Sequence, residues 1–192
     1  MARTDTPSIR VDIDLGPEDI AYFRERLTKA RKTRALKDDD RVILGAEAMA
    51  SMALEANPPL YIRQRIETLQ TIVAMLKDRD WLLGDDDRKH VLDMLAYFAD
   101  PKDIVPDDIP VLGLLDDAIM IDLAAYELAP ELEAYSDFLE NMEDLKEGAE
   151  DAEPIDAARS MLQKRMRRRR RRRSRAGRGE ADLLMSLFNA PD

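Results

Sequence analysis

The sequence predicts an all-α protein: a compact domain of about six helices with a proline-rich loop-helix motif, an extended N-terminal arm and a disordered arginine-rich C-terminal tail. Three observations carry this expectation. Apolar residues recur at spacings of three and four along most of the chain, the period of one helix face. Proline and glycine fall at the joints between these stripes, where they interrupt helices. A single segment alternates with the period of a strand, and nothing elsewhere offers it a second strand. Of 192 residues, 45% are hydrophobic and 36% charged; the first permits a core, and the second exceeds the roughly 25% of an average globular chain.

The alternating segment forms the arm, residues 1–15. Ile9, Val11, Ile13 and Leu15 face one side and Arg10, Asp12 and Asp14 the other. Without a partner strand it is expected to lie extended along the helices, the alternative being pairing with a second copy of itself. The helical domain spans residues 16–150. Gly16-Pro17-Glu18-Asp19 starts the first helix, since proline suits the first turn and acids complement the positive end. Ile20, Phe23, Leu27 and Ala30 follow at helical spacing. The second helix runs from Asp38-Asp39-Asp40 to about Asn57, where Pro58-Pro59 stops it. Ile62, Ile66, Leu69, Val73 and Leu76 then make the clearest amphipathic stripe in the chain. Trp81 to Gly84 is an apolar turn, and Asp85-Asp86-Asp87 is expected to cap a fourth helix carrying Val91, Leu92, Leu95 and Phe98. After the loop Pro101 to Gly113, Leu114 to Leu128 is apolar nearly all round, as a central buried helix requires. Pro130 opens a sixth helix with one apolar face and one acidic face, the latter including Glu131, Glu133, Asp137 and Glu140. Residues 151–192 comprise the end of an acidic linker, a short helix over Ile155 to Lys164, the arginine block and a short apolar segment.

The net charge of -10 hides two opposed regions. Arg159 to Glu180 holds twelve Lys or Arg and one Glu, net +11, whereas Met1 to Ala158 is net -19. The absence of cysteine removes disulfides, thiol catalysis and thiolate metal sites. A polar N-terminus and the lack of a long uncharged apolar run predict a soluble, cytoplasmic protein, with association to nucleoid, ribosome or membrane left open.

Residues 96–128 read AYFADPKDIVPDDIPVLGLLDDAIMIDLAAYEL. This stretch resembles the YkvA-type domain, the DUF1232 family, at Tyr97, Pro101, Asp103, Ile104, Pro106, Asp107, Ile109, Pro110, Gly113, Asp116 and Asp117. It departs from the family pattern at Asp100, Lys102 and Asp108, which makes this copy more polar. The resemblance implies a helical hairpin around a rigid loop and a bacterial source, without an established biochemical activity. The prolines stiffen that loop by fixing backbone dihedrals and removing donors. Asp103, Asp107, Asp116 and Asp117 are the candidate ligands if the loop holds a divalent cation; the competing expectation is that such aspartates close turns and cap helices.

No cofactor is inferred. His90 is the only histidine, expected at the surface near Asp86 and Asp93, and no familiar catalytic constellation is present, so no catalytic residue is assigned and an enzyme is not expected. The basic residues of the first helix, among them Arg24, Arg31 and Arg34, are read as a solvated face.

Polyanion binding is assigned to Arg165, Arg167, Arg168, Arg169, Arg170, Arg171, Arg172, Arg173, Arg175 and Arg178. Like charges at this density repel, so the block is expected to be disordered or partly helical without a polyanion. RNA or DNA is the leading partner, held through phosphates and sequence-tolerant, because no aromatic residue lies between Lys164 and Ser186 to stack on bases. An anionic membrane surface is second, and a fold-back of the tail on the acidic sixth helix third. Leu184, Leu187 and Phe188 suggest a docking peptide for a protein partner. The segment is similar to the bacterial sliding-clamp-binding motif Q-x-x-L-x-L-F at Leu187 and Phe188 and loosely at Met185, with Asp182 in place of the glutamine; the competing expectation is a short amphipathic helix packed on the body. Together these features suggest a non-enzymatic adaptor whose tail engages a polyanion while its acidic body contacts proteins. The alternatives are a membrane-peripheral protein and a divalent-metal site on the aspartate loop. No small-molecule substrate is inferred. A chain ended at Ala158 is then expected to melt like the full chain.

Overall fold

A computed structural model of the protein describes residues 15–34, 38–99, 114–148 and 153–176. These residues form α1 (Pro17–Arg34), α2 (Asp39–Glu55), α3 (Leu60–Lys77), α4 (Asp85–Leu95), α5 (Leu115–Glu127), α6 (Ala129–Gly148) and α7 (Glu153–Ala176), with no strand among them. The all-α class is as expected, as are the order and approximate limits of the first six helices. The N-terminal alternating segment up to Asp14, the loop from Pro101 to Gly113 and the C-terminal apolar segment lie outside the described residues.

Local chemistry accounts for most helix ends. Pro17 opens α1, and the Gly16 N–H donates to the Asp19 carboxylate at 2.9 Å, which uses a donor the first turn would otherwise leave unpaired. Asn57 ends the chain leaving α2 with φ 50°, a left-handed conformation that asparagine tolerates better than most residues, and Pro58-Pro59 prevents continuation. At α4 the expectation fails in detail. Gly84 takes the N-cap position, and the Asp87 carboxylate, instead of capping, is committed to arginines of α7.

The core forms where the predicted stripes meet. Ile62, Ile66, Leu69, Ile72, Val73, Met75 and Leu76 of α3 are all buried, and α3 packs against α2, α4 and α5. Helix α5 is buried over Asp116 to Ile121 and at Leu123 and Ala124, the central position its unbroken apolarity required. Helix α1 lies across α4 and α5. Its basic residues are not simply solvated: Arg31 pairs with Glu127 at 2.6 Å, and Arg34 pairs with Asp39 and, at 3.7 Å, with Asp93.

Helix α2 approaches the turn after α4 closely because Gly45 has no side chain. A Cβ there would fall 2.8 Å from Ala99 Cα and 2.9 Å from Ala99 Cβ. Alanine is the better helix former by about 1 kcal/mol, yet here the backbone of residue 99 would have to move, and overpacking costs about 1–3 kcal/mol. Gly45→Ala therefore lowers the thermal midpoint, and calorimetry of the two chains checks the sign.

The same core extends from the turn after α3 to the C-terminal helices. Trp81 is fully buried, with ring centroids 5.0 Å from Phe138 and 5.8 Å from Tyr135 of α6. Asp78 shapes this corner, accepting from the backbone N–H of Asp80 and Trp81 at 2.7 and 3.0 Å and from the Tyr135 hydroxyl at 2.9 Å. The hydroxyl proton is held firmly, since burial and the neighbouring carboxylate both push the Tyr135 pKa up.

The largest departure from expectation is the arginine block. It is neither disordered nor separate from the body: from Glu153 to Ala176 it is one continuous helix, α7, packed along α6. Leu162 and Met166 are buried in the core, and Gln163 donates to the Trp81 carbonyl at 2.7 Å. Repulsion between arginines was the reason to expect disorder. It is relieved by the carboxylates of α4 and α6, so of the partners considered for the tail, the internal one is seated.

Candidate functional site

The arginines of α7 divide by helical position. Arg165 pairs with Asp137 and Arg169 with Glu133. A step of four along α7 is thus matched by four back along α6, the register of an antiparallel pair. Arg170 donates to Glu131 at 2.8 Å and to Asp87 at 2.7 Å, and Arg167 donates to the other Asp87 oxygen at 2.7 Å. These contacts tie α4, α6 and α7 together.

The two acids at this junction are buried. The side chain of Asp87 is 2% exposed and that of Glu131 is fully enclosed, whereas Arg167 and Arg170 keep 40% and 27% of their exposure. A carboxylate taken out of water survives as an anion only with partners. Burial pushes the Glu131 pKa up, and the bond and charge of Arg170 oppose that rise. Burial also works against the Arg170 charge, but its bonds to Asp87 and Glu131 outweigh it and hold the guanidinium above its ordinary pKa. His90 lies beside them, 4.0 Å from Glu131. It is more enclosed than the expected surface histidine, and burial first, then Arg170 and Arg31, push its pKa down, which favours the neutral imidazole.

The remaining bases point outward. Lys164, Arg168, Arg171, Arg172 and Arg175 are exposed, and their spacing of four, three or four, and three or four places them on one face of α7. At 1.5 Å per residue the stripe is about 16 Å long. Arg171, Arg172 and Arg175 make no ion pair among the described residues. Arg178 lies outside the described residues.

Near the C-terminal end of this stripe an open cleft of about 750 Å³ is lined by His90, Tyr126, Arg170, Arg171, Arg173 and Arg175. Arg173 lies over the Tyr126 ring, its Cζ 4.3 Å from the centroid. Sequence reasoning missed this aromatic because Tyr126 belongs to α5, far from the arginines in the chain. Its only trace was that α5 ends where α6 begins, so its last turn meets whatever packs on the start of α6.

The aspartate candidates are placed in part. Asp116 and Asp117 lie buried in the first turn of α5, where the positive helix end favours them, and Leu114 takes the N-cap position. Asp103 and Asp107 lie outside the described residues, as do Leu184, Leu187 and Phe188. No group of three or more potential metal ligands occurs among the described residues. On α5, Asp122 instead meets α3: it accepts from Arg65 Nε at 3.2 Å and from the Tyr61 hydroxyl at 3.4 Å. Burial pushes the Asp122 pKa up against the pull of Arg65. No helix of the described residues is long and apolar enough to cross a membrane.

Residues 91–123 match the family model described as protein of unknown function (DUF1232). This agrees with the YkvA-type resemblance and covers the end of α4, the loop and most of α5. The match includes Asp103, Asp107, Asp116 and Asp117 and stops short of Tyr126 and α7. Neither a curated protein nor a solved structure matches the chain.

Proposed function

We propose that the chain, built around its DUF1232 segment at residues 91–123, is a non-enzymatic nucleic-acid-binding adaptor. The exposed stripe of α7 is its phosphate-contacting surface. The observation that carries this reading is the division of the arginines. The inward residues neutralise α4 and α6, and Lys164, Arg168, Arg171, Arg172 and Arg175 are left exposed on one face of a helix anchored by Leu162 and Met166. A stripe held in this way has lost most of its conformational freedom before a partner arrives, so binding costs less ordering. Guanidinium groups suit phosphate oxygens in paired bonds. The contacts are to the backbone of the polymer, which makes binding tolerant of sequence.

The test is fluorescence anisotropy with short RNA and DNA across a salt titration. If all five bases meet phosphates of a duplex, the slope of log affinity against log salt is about -4 to -5, so affinity falls about 10²–10³-fold between about 50 and 200 mM salt. Replacing the five with glutamine removes most of that slope and leaves the melting midpoint nearly unchanged, because all five are exposed. A slope and affinity that survive the replacement overturn the assignment.

A further inference from the structure

A basic stripe alone should favour duplex over single-stranded nucleic acid, because counterion release is larger per phosphate on the duplex, about 0.9 against 0.7. The cleft at the end of α7 supplies what the stripe lacks. We infer that this cleft, with Arg173 stacked over Tyr126 at its wall, seats an unpaired nucleobase and gives the protein a preference for single-stranded nucleic acid. The inference rests on the reading of α7 as a nucleic-acid-binding helix and names the form of nucleic acid it takes.

The cleft has room for such a group. A cleft of about 750 Å³ lies within the range of roughly 300–1,000 Å³ typical of small-molecule sites. The Arg173 guanidinium, 4.3 Å from the Tyr126 ring centroid, makes a planar cationic surface already braced by an aromatic, and bases stack on such surfaces whatever their sequence. Arg171 and Arg175 border the same cleft and belong to the exposed stripe, so a base seated there leaves its flanking phosphates beside cations. A neutral His90 presents one donor and one acceptor nitrogen for a base edge. Two acids also border the cleft, Asp86 and Glu127. Glu127 is neutralised by Arg31 at 2.6 Å, and Asp86 is an acceptor for a ring N–H or amino group on a base edge, so neither reverses the positive balance. A base inside a duplex is stacked and paired and has no face to offer the cleft.

The experiment compares three probes on the full chain: a short oligothymidylate, an abasic strand of equal length, and a duplex of equal length. The oligothymidylate is expected to bind about tenfold more tightly than the abasic strand, the order of one stacked base. Tyr126→Leu should remove that difference and leave duplex affinity unchanged, and Tyr126→Phe should retain it. Equal affinity for oligothymidylate and abasic strand overturns the cleft assignment while leaving the phosphate stripe standing, a comparison that needs no variant to fold. An equal loss of single strand and duplex on Tyr126→Leu, with the melting midpoint preserved, also overturns it. Failure of all three probes to bind removes the nucleic-acid reading itself, and the cleft assignment with it.

Discussion

A chain ended at Ala158 unfolds at a lower temperature than the full chain, by about 6–12 °C, instead of melting identically as an independent tail would. The loss follows from what α7 covers. Leu162 and Met166 are 5% and 0% exposed, and burying side chains of this size stabilises by about 1.5–3 kcal/mol each. Ending the chain also strips Asp87 and Glu131 of their guanidinium partners, leaving two carboxylates whose charges oppose each other. Ordering α7 has an opposing entropic cost, so a net loss of about 3 kcal/mol is expected, and each kcal/mol shifts the midpoint of a chain this long by about 2–4 °C. Trp81 is the only tryptophan and is fully buried. Its emission therefore reports the transition directly. Coincident melting of the two chains would show that α7 contributes nothing to the core.

Asp87→Ala is expected to destabilise the fold well beyond the loss of an exposed ion pair. One carboxylate, 2% exposed, accepts from Arg167 Nε and Arg170 Nη2, each at 2.7 Å. Without it two guanidinium groups lie side by side, with Glu131 left as the single counter-charge. Breaking a buried pair by removing one partner costs about 3–5 kcal/mol. The arginines keep partial contact with solvent, so about 2–3 kcal/mol is expected here. Glu133→Ala is the control. Its pair with Arg169 is about half exposed on both sides, and pairs of that kind contribute about 0–1 kcal/mol. Urea unfolding followed by Trp81 fluorescence measures both, and equal effects of the two substitutions would refute the distinction between the buried and exposed pairs.

Both results turn on α7, the element least legible in the sequence. Local physics was read correctly for what it describes: ten arginine and lysine side chains between Lys164 and Arg175 repel one another in isolation. What overrides that repulsion is not local. Asp87 lies eighty residues from Arg167, and Glu131 thirty-nine from Arg170. Periodicity still carried a partial signal, because Leu162 and Met166 continue the face that Arg170 and Arg173 extend, and the acidic face of α6 was evident. The pairing of those two faces required knowing that α7 returns antiparallel along α6, a direction that periodicity within either helix does not specify. The same limit applied to Asp85, Asp86 and Asp87: three acids at a helix start look alike, and the fold alone selects Asp87 for burial.

By itself the sequence determined the all-α class, the stripes of α3 and α4, the central burial of α5 and the likeness of residues 96–128 to the DUF1232 family. Each of these depends on residue spacing or on a contiguous motif, information carried along one helix or one loop. Tertiary structure alone decided that the arginine block is a core-anchored helix, which of its bases are spent on buried acids and which remain exposed, and that Tyr126 stands beside Arg173. Those outcomes depend on charges and rings brought together across long stretches of chain, where the free energy of a contact is set by burial and approach, quantities that no local pattern encodes.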